Sequence, residues 1–202
     1  MKNSTVLISA AVLILLLAGL VAYYFFYLVP TPAPTVLGNA TTTPTWLTYS
    51  APGGEFSIQY PPDFRVNTAH RSPSKGLSGV SFTIPPGMAT GTNLSVDTYI
   101  AVLRGPDQAS CTGADFINTT APDVRVTEDG VAYLMNTTSD AGAGNLYEEI
   151  IYVLPDCYAL HYVIHSTQIA NYPEGSIRAF DRGDLVALFD QIRRTFRPAA
   201  KG

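Results

Sequence analysis

The sequence predicts an α+β domain in which an antiparallel β-sheet packs against a C-terminal helix. Short runs of alternating apolar and polar residues recur from residue 56 onward, which indicates half-buried strands. The clearest of these runs follow one another between residues 131 and 165, as the strands of a meander do. Residues 181–197 instead place apolar side chains at the three-and-four spacing of an amphipathic helix. Strands followed by a terminal helix indicate an α+β layer architecture.

The start of the chain predicts a membrane anchor in front of this domain. Residues 6–29 contain no charged side chain, and about 24 helical residues reach roughly 36 Å, enough to cross a bilayer. Lys2 is the only basic residue before Arg65, so the charge bias places residues 1–5 in the cytoplasm and the domain outside. We therefore expect an uncleaved signal-anchor, with a cleaved secretory signal as the alternative.

Residues 30–45 predict a spacer between the anchor and the domain. This segment contains four prolines among threonines, a composition that favours an extended, semi-rigid chain. The domain follows over residues 46–198, a length that suffices for one hydrophobic core. The whole chain has a formal net charge of −4, which argues against a nucleic-acid partner because phosphate binding needs a basic surface.

The first half of the domain predicts three strands and a short helix. Residues 56–60, 80–84 and 94–103 carry the strand pattern, and a pair of prolines ends each of the first two. Residues 67–79 are rich in serine, proline and glycine and predict a loop. Residues 111–118 predict the short helix.

The second half of the domain predicts three consecutive strands. Residues 131–136 and 147–154 are rich in β-branched and aromatic side chains, and the glycine-rich segment 139–145 lies between them. This pattern is typical of a hairpin with a glycine-rich loop. A second tight turn at residues 155–156 leads into the third strand, residues 158–165.

The final helix is predicted to begin at Asp181, a residue type that caps helix N-termini, or later at Asp184. Arginines near its end suit the negative end of the helix dipole. The apolar stripe of the helix consists of Leu185, Leu188, Phe189, Ile192 and Phe196.

The only two cysteines, Cys111 and Cys157, fall in the part of the chain placed outside the cell. An even count in an oxidising compartment predicts a disulfide. The loop of about 45 residues that it closes would add on the order of 4 kcal/mol of stability. Two buried free thiols are the alternative. Since neither cysteine belongs to a Cys-x-x-Cys pair, the sequence does not predict a zinc site.

Two segments resemble the Mog1/PsbP-like fold. Residues 54–64, Gly-Glu-Phe-Ser-Ile-Gln-Tyr-Pro-Pro-Asp-Phe, are similar to the short N-terminal hairpin of that group, with Glu55 as an added residue. Residues 192–196, Ile-Arg-Arg-Thr-Phe, are similar to the end of the helix that those domains pack on their sheet. The middle of the chain resembles uncharacterised membrane-tethered bacterial PsbP-like domains.

The resemblance implies a role in docking. The fold occurs in accessory proteins of photosystem II and in a nuclear-transport regulator that binds a small GTPase, and both act by binding a partner. No functional residue of those families matches this sequence, so none is transferred to it, and fold alone is a weak guide to function.

The candidate binding residues are few. His161 and His165 lie four apart in a predicted strand, roughly 13 Å from each other on one face, too far to share a metal ion. We expect this face to be the less buried one. Glu148, in the neighbouring strand, is placed to meet either histidine as a cross-strand acid–histidine pair. Tyr172 and Glu174 lie in the long loop before the helix, which either carries binding contacts or merely covers the edge of the core.

The sequence thus favours a membrane-anchored binding or assembly module without catalytic activity, catalytic residues, metal or cofactor, which binds a protein of the cell envelope. It contains no Gly-x-Ser-x-Gly, Ser-x-x-Lys or His-Glu-x-x-His motif. One alternative is an envelope hydrolase that uses His165 with a neighbouring acid such as Glu148 or Asp97. Another is a carrier that holds a small ligand in a cavity between the sheet and the helix.

Overall fold

A computed structural model describes residues 45–106 and 110–199. The predicted cytoplasmic segment, anchor helix and spacer, residues 1–45, lie outside these ranges except for the last residue. Within the described ranges, no helix combines the length and the apolar character needed to cross a membrane. The predicted α+β architecture is confirmed, since antiparallel strands make up most of the domain and a helix follows them near its C-terminal end.

The described residues form ten strands and two α-helices. The strands are β1 (Leu47–Ser50), β2 (Phe56–Tyr60), β3 (Arg65–Arg71), β4 (Ser78–Thr83), β5 (Tyr99–Arg104), β6 (Val124–Glu128), β7 (Val131–Gly142), β8 (Asn145–Val153), β9 (Tyr158–Thr167) and β10 (Arg197–Pro198). The helices are α1 (Pro86–Ala89) and α2 (Arg182–Arg194), and short 3-10 turns span Pro52–Gly54, Gly113–Asp115 and Ile169–Asn171.

The strands are arranged in two antiparallel sheets. A seven-stranded main sheet has the order β3-β4-β5-β9-β8-β7-β6, and a three-stranded sheet has the order β1-β2-β10. The predicted meander is confirmed as β7, β8 and β9. The predicted N-terminal hairpin forms β1 and β2, but it lies in the small sheet, where β10 pairs with β2 after the helix.

The turn between β7 and β8 is shorter than the sequence predicts. The ladder continues to the pair Gly142 and Asn145, so only Ala143 and Gly144 form the turn, with φ values of 50° and 80°. Positive φ at both central residues is the geometry of a type I′ turn, whose twist matches that of the two strands. The glycine-rich segment therefore extends both strands.

Two edge strands of the main sheet are missing from the sequence prediction. Most side chains of β3 are exposed, and its register shifts between Asn67 and His70, so no apolar alternation marks it. The side chains of β6 are likewise exposed or only half-buried. An edge strand contacts one neighbour only, and its sequence is less constrained than that of a central strand.

Two predicted elements are shorter in the structure. The helix predicted at residues 111–118 is the single turn Gly113–Asp115, closed by reciprocal capping bonds between Thr112 and Asp115. The strand predicted from residue 94 begins at Tyr99, because Leu94 makes only an isolated bridge.

One face of the main sheet is covered by α2 and the small sheet. The predicted N-cap is confirmed, since the carboxylate of Asp181 accepts the backbone N–H of Asp184 at 2.9 Å. Phe189 of α2 and Tyr162 of β9 are both 0% exposed, with ring centroids 5.3 Å apart. The space that a small-ligand carrier would use between sheet and helix is thus filled by packed side chains.

The opposite face of the main sheet is covered at one end. The predicted disulfide between Cys111 and Cys157 is confirmed, and it fastens the segment 110–123 over this end. A second hydrophobic cluster forms there from Ala101, Leu103, Cys111, Phe116, Ile117, Ile151, Val153, Cys157 and Ala159. The other end of the same face holds a groove.

Candidate functional site

The groove has a volume of about 770 Å³ and is lined by residues from several elements of the domain. The sheet contributes His70 from β3, Tyr99 from β5 and Glu149 from β8. Tyr99 and Glu149 share a face because both lie opposite Val163 in their ladders. The registers of the central strands therefore determine which side chains face the groove.

A buried acid–histidine pair lies in this part of the sheet. Nε2 of His161 is 2.8 Å from Oε2 of Glu149, although the N–H does not point along this line. The hydroxyl of Ser74 donates to the same carboxylate at 2.9 Å. Burial raises the pKa of Glu149, but the close contact and charge of His161 and the hydrogen bond from Ser74 outweigh it and leave the pKa lowered. The carboxylate is held in its charged form.

His70 is 8% exposed, and its ring lies edge-on against Tyr99 with centroids 4.9 Å apart. Its Nε2 atom is buried without a hydrogen-bond partner among the described residues. Burial and then the charge of His161 lower the pKa of His70 to about 4, so the ring is neutral at pH 7. Burial, followed by the charges of Glu149 and Asp97, raises the pKa of Tyr99, whose phenol remains protonated.

A second acid–histidine pair borders the groove. Nδ1 of His165 is 2.7 Å from Oδ1 of Asp97, and Nε2 is 3.0 Å from Oδ1 of Asn145. Both ring nitrogens thus face oxygens. The ring of Tyr147 stacks on the imidazole at 4.1 Å. Burial raises the pKa of Asp97, but hydrogen bonds from Ser95 and His165 and the charge of His165 leave it lowered.

The pair of Asp97 and His165 does not form a nucleophile-activating site. A hydrolase would place a serine, threonine or cysteine against the free nitrogen of the histidine. That nitrogen instead contacts Asn145, and no hydroxyl or thiol contacts it within residues 45–106 and 110–199. Glu148 does not join the pair, because it binds Arg182 through both carboxylate oxygens, one of them at 2.8 Å from Nε.

The predicted face of the two histidines is correct, but the predicted exposure of His161 is wrong. His161 is 0% exposed, because it lies opposite Ala101 and Ile151, members of the second hydrophobic cluster. Its acid partner is Glu149 and not Glu148, since adjacent strand residues point to opposite faces.

The two loop candidates lie away from the groove lining. Tyr172 is 39% exposed and its hydroxyl lies 3.0 Å from Oγ1 of Thr167, while Glu174 is exposed. The structure brings neither residue to the other candidates.

The sequence pattern does not bring His70, Ser74 and Glu149 together as a group. His70 and Ser74 fall in a segment that was expected to be a loop, and they meet Glu149 only through the pairing of distant strands. Only the contact of Glu149 with His161 could have been inferred from the sequence, because the register of β8 and β9 places the two residues diagonally across from each other.

No protein-family model matches this chain, and no curated protein matches it. Solved structures similar to it include a protein from Bacteroides thetaiotaomicron (TM-score 0.47, 12% identity, 77% of this chain and 49% of that chain). This chain therefore spans about half the length of the Bacteroides protein.

Two further similar structures carry names. One is the cyanobacterial PsbP of Synechocystis (TM-score 0.43, 15% identity, 83% of this chain and 100% of that chain). The other is the Ran-binding protein Mog1p of Saccharomyces cerevisiae (TM-score 0.42, 12% identity, 76% and 95%). The sequence resemblance names the same two proteins, but with TM-scores below 0.5 the Mog1/PsbP-like fold stays a prediction.

Proposed function

We propose that this chain is a membrane-anchored binding module whose external domain engages a component of the cell envelope through the groove. The observation that supports this most directly is the groove itself, at about 770 Å³. A concave site of several hundred Å³ with a few convergent polar groups is the usual form of a ligand site. Nε2 of His70 is buried there without a partner, and a bound ligand can supply the missing hydrogen bond.

Binding fits the site better than hydrolysis does. The carboxylate of Glu149 is already held by His161 and Ser74, and both nitrogens of His165 face oxygens. These groups are positioned and charged, but none of them is an activated nucleophile.

The proposed external location rests on the apolar character of residues 6–29 and on the disulfide. A bond between Cys111 and Cys157 persists in an oxidising compartment and is rare in the cytosol. Protease added to intact cells should therefore degrade the domain. Degradation only after lysis would contradict the proposed orientation and leave the groove as the basis of a cytoplasmic role.

Site-specific crosslinking in native membranes tests the use of the groove. A photoreactive amino acid at Thr138, which lines the groove and lies opposite Glu149 in the ladder, is compared with the same group at Gln191, an exposed residue of α2. We expect a specific crosslinked species from position 138 and none from position 191. Equal capture at both positions, capture from 191 alone, or no capture from 138 would contradict the proposal.

A further inference from the structure

We infer that the groove recognises an organic cation, an ammonium or guanidinium group; this inference deepens the proposed function and rests on it. The lining includes the carboxylates of Asp97, Asp140 and Glu149 against the single guanidinium of Arg71. Counting only carboxylates and guanidinium groups, this lining has a formal excess of two negative charges. A concave surface of one sign concentrates ligands of the opposite sign.

The charged side chains that line the groove differ in whether they already bind other residues of the domain. Glu149 binds Ser74 and His161, and Nη1 of Arg71 donates to the carbonyl of Gly76 at 3.1 Å. Asp140 is exposed. Its carboxylate therefore carries a charge at the surface of the groove that a ligand can meet without breaking a buried contact.

An aromatic ring accompanies this carboxylate. Asp140 lies opposite Tyr147 in the ladder of β7 and β8, so the two side chains share a face. Tyr147 is 40% exposed, and its ring rests on His165. A carboxylate beside an accessible aromatic ring suits a cation, because the ring face attracts positive charge.

His70 is an observation independent of the acidic groups. It is 8% exposed, lines the groove, and has no partner for its buried Nε2 within the described part of the chain. In a neutral imidazole, one nitrogen is an acceptor. Ammonium and guanidinium groups have several donors and no acceptor, so one cationic group can serve both the lone pair and the carboxylates. An anion would meet three carboxylates.

The test uses the full chain in detergent micelles and follows the backbone amide signals of groove residues by NMR. The cationic probes are N-acetyl-arginine amide and spermidine, and the neutral control is N-acetyl-citrulline amide, which has nearly the same shape as the arginine probe. We expect saturable shifts at Ser139 and Glu149 with a cationic probe, about tenfold tighter than with citrulline because of the two excess charges.

Two matched variants test whether a carboxylate of the groove causes the tighter binding of the cationic probe. Asp140→Asn removes an exposed groove carboxylate, and Asp63→Asn removes an exposed carboxylate outside the groove lining. The first variant should weaken binding about three- to tenfold, and the second should leave it unchanged. Fluorescence of Trp46, which packs against the core, verifies that each variant is folded.

The outcomes separate the two levels of the proposal. Equal affinity for citrulline, equal effects of the two variants, or absence of groove shifts with either cation would overturn the cation inference, while the crosslinking result from Thr138 judges the binding role itself. Tighter binding of spermidine is expected from its higher positive charge, whereas binding of the arginine probe at least as tight as that of spermidine indicates a guanidinium group as the ligand. Either result supports cation recognition.

Discussion

Replacing His70 with glutamine should change the pH dependence of stability. Burial and the charge of His161 lower the pKa of His70 from 6.5 to about 4. Between these values, the unfolded chain binds a proton that the folded chain does not, so the free energy of unfolding falls as the pH falls. His70 therefore does not reduce the free energy of unfolding above pH 6.5, and the reduction grows progressively as the pH falls from 6.5 to 4.

The magnitude follows from the same pKa change. Lowering the pKa from 6.5 to about 4 corresponds to about 3 kcal/mol, and access of water from the groove reduces the expected effect to about 2 kcal/mol. Glutamine does not titrate, but it loses the ring contact with Tyr99, which costs about 1 kcal/mol at every pH. His70→Gln should therefore be less stable than the wild type at pH 7 and at least as stable near pH 4.5.

The assay is urea-induced unfolding of the full chain in detergent micelles at pH 7.0, 5.5 and 4.5, followed by the fluorescence of Trp46, the only tryptophan. Arg65→Gln is the control, because Arg65 is an exposed residue of the same edge strand that does not titrate in this range. This control should follow the wild-type curve. If His70→Gln and the wild type lose the same free energy of unfolding between pH 7.0 and 4.5, the assignment of His70 as a buried neutral ring is refuted.

Four further variants should change the stability measured in the same unfolding assay at pH 7. Replacing Cys111 and Cys157 together with alanine should lower the free energy of unfolding by about 4 kcal/mol, because the disulfide closes a loop with a sequence separation of 46. Gly144→Ala should lower it by about 1–2 kcal/mol, since φ at this turn position is 80°. Glu148→Gln should cost less than about 1 kcal/mol, because its partner is a surface arginine. Glu149→Gln should cost more than Glu148→Gln, because it removes the charge beside the buried His161.

Each of these predictions has its own comparison. Reduction of the wild type should reproduce the loss seen in the double alanine variant, and unchanged stability on reduction would contradict the disulfide argument. Equal stability of the wild type and Gly144→Ala would mean that the turn accommodates a side chain without strain. Equal losses for Glu148→Gln and Glu149→Gln would contradict the assignment of the two carboxylates to different environments.

Elements stabilised by contacts close in sequence were predictable. The N-cap of α2 and its apolar stripe are local signals, and Asp181 caps the helix as expected. The meander is predictable from its β-branched and aromatic runs, which reflect the buried residues of β9 and of the second half of β8. The disulfide followed from an even cysteine count and the expected compartment.

Elements stabilised from outside the local segment were not predictable. The strand β3 has an exposed, polar sequence with a bulge, and it forms because β4 offers a hydrogen-bonding edge. The small sheet is completed by β10, a two-residue strand that pairs with β2 from more than 130 residues later in the chain. No periodicity in the hairpin itself carries this information.

The groove is the clearest example of this limit. Glu148 and Glu149 are identical side chains at adjacent positions, yet Glu148 faces the helix side and binds Arg182, while Glu149 faces the groove and His161. The strand pattern predicts that the two point to opposite faces, but which face holds a groove depends on the loop fastened by the disulfide. That loop covers one end of the second face and leaves His70 and its neighbours at the other end. The disulfide thus marks where apolar packing on this face stops and where the groove begins.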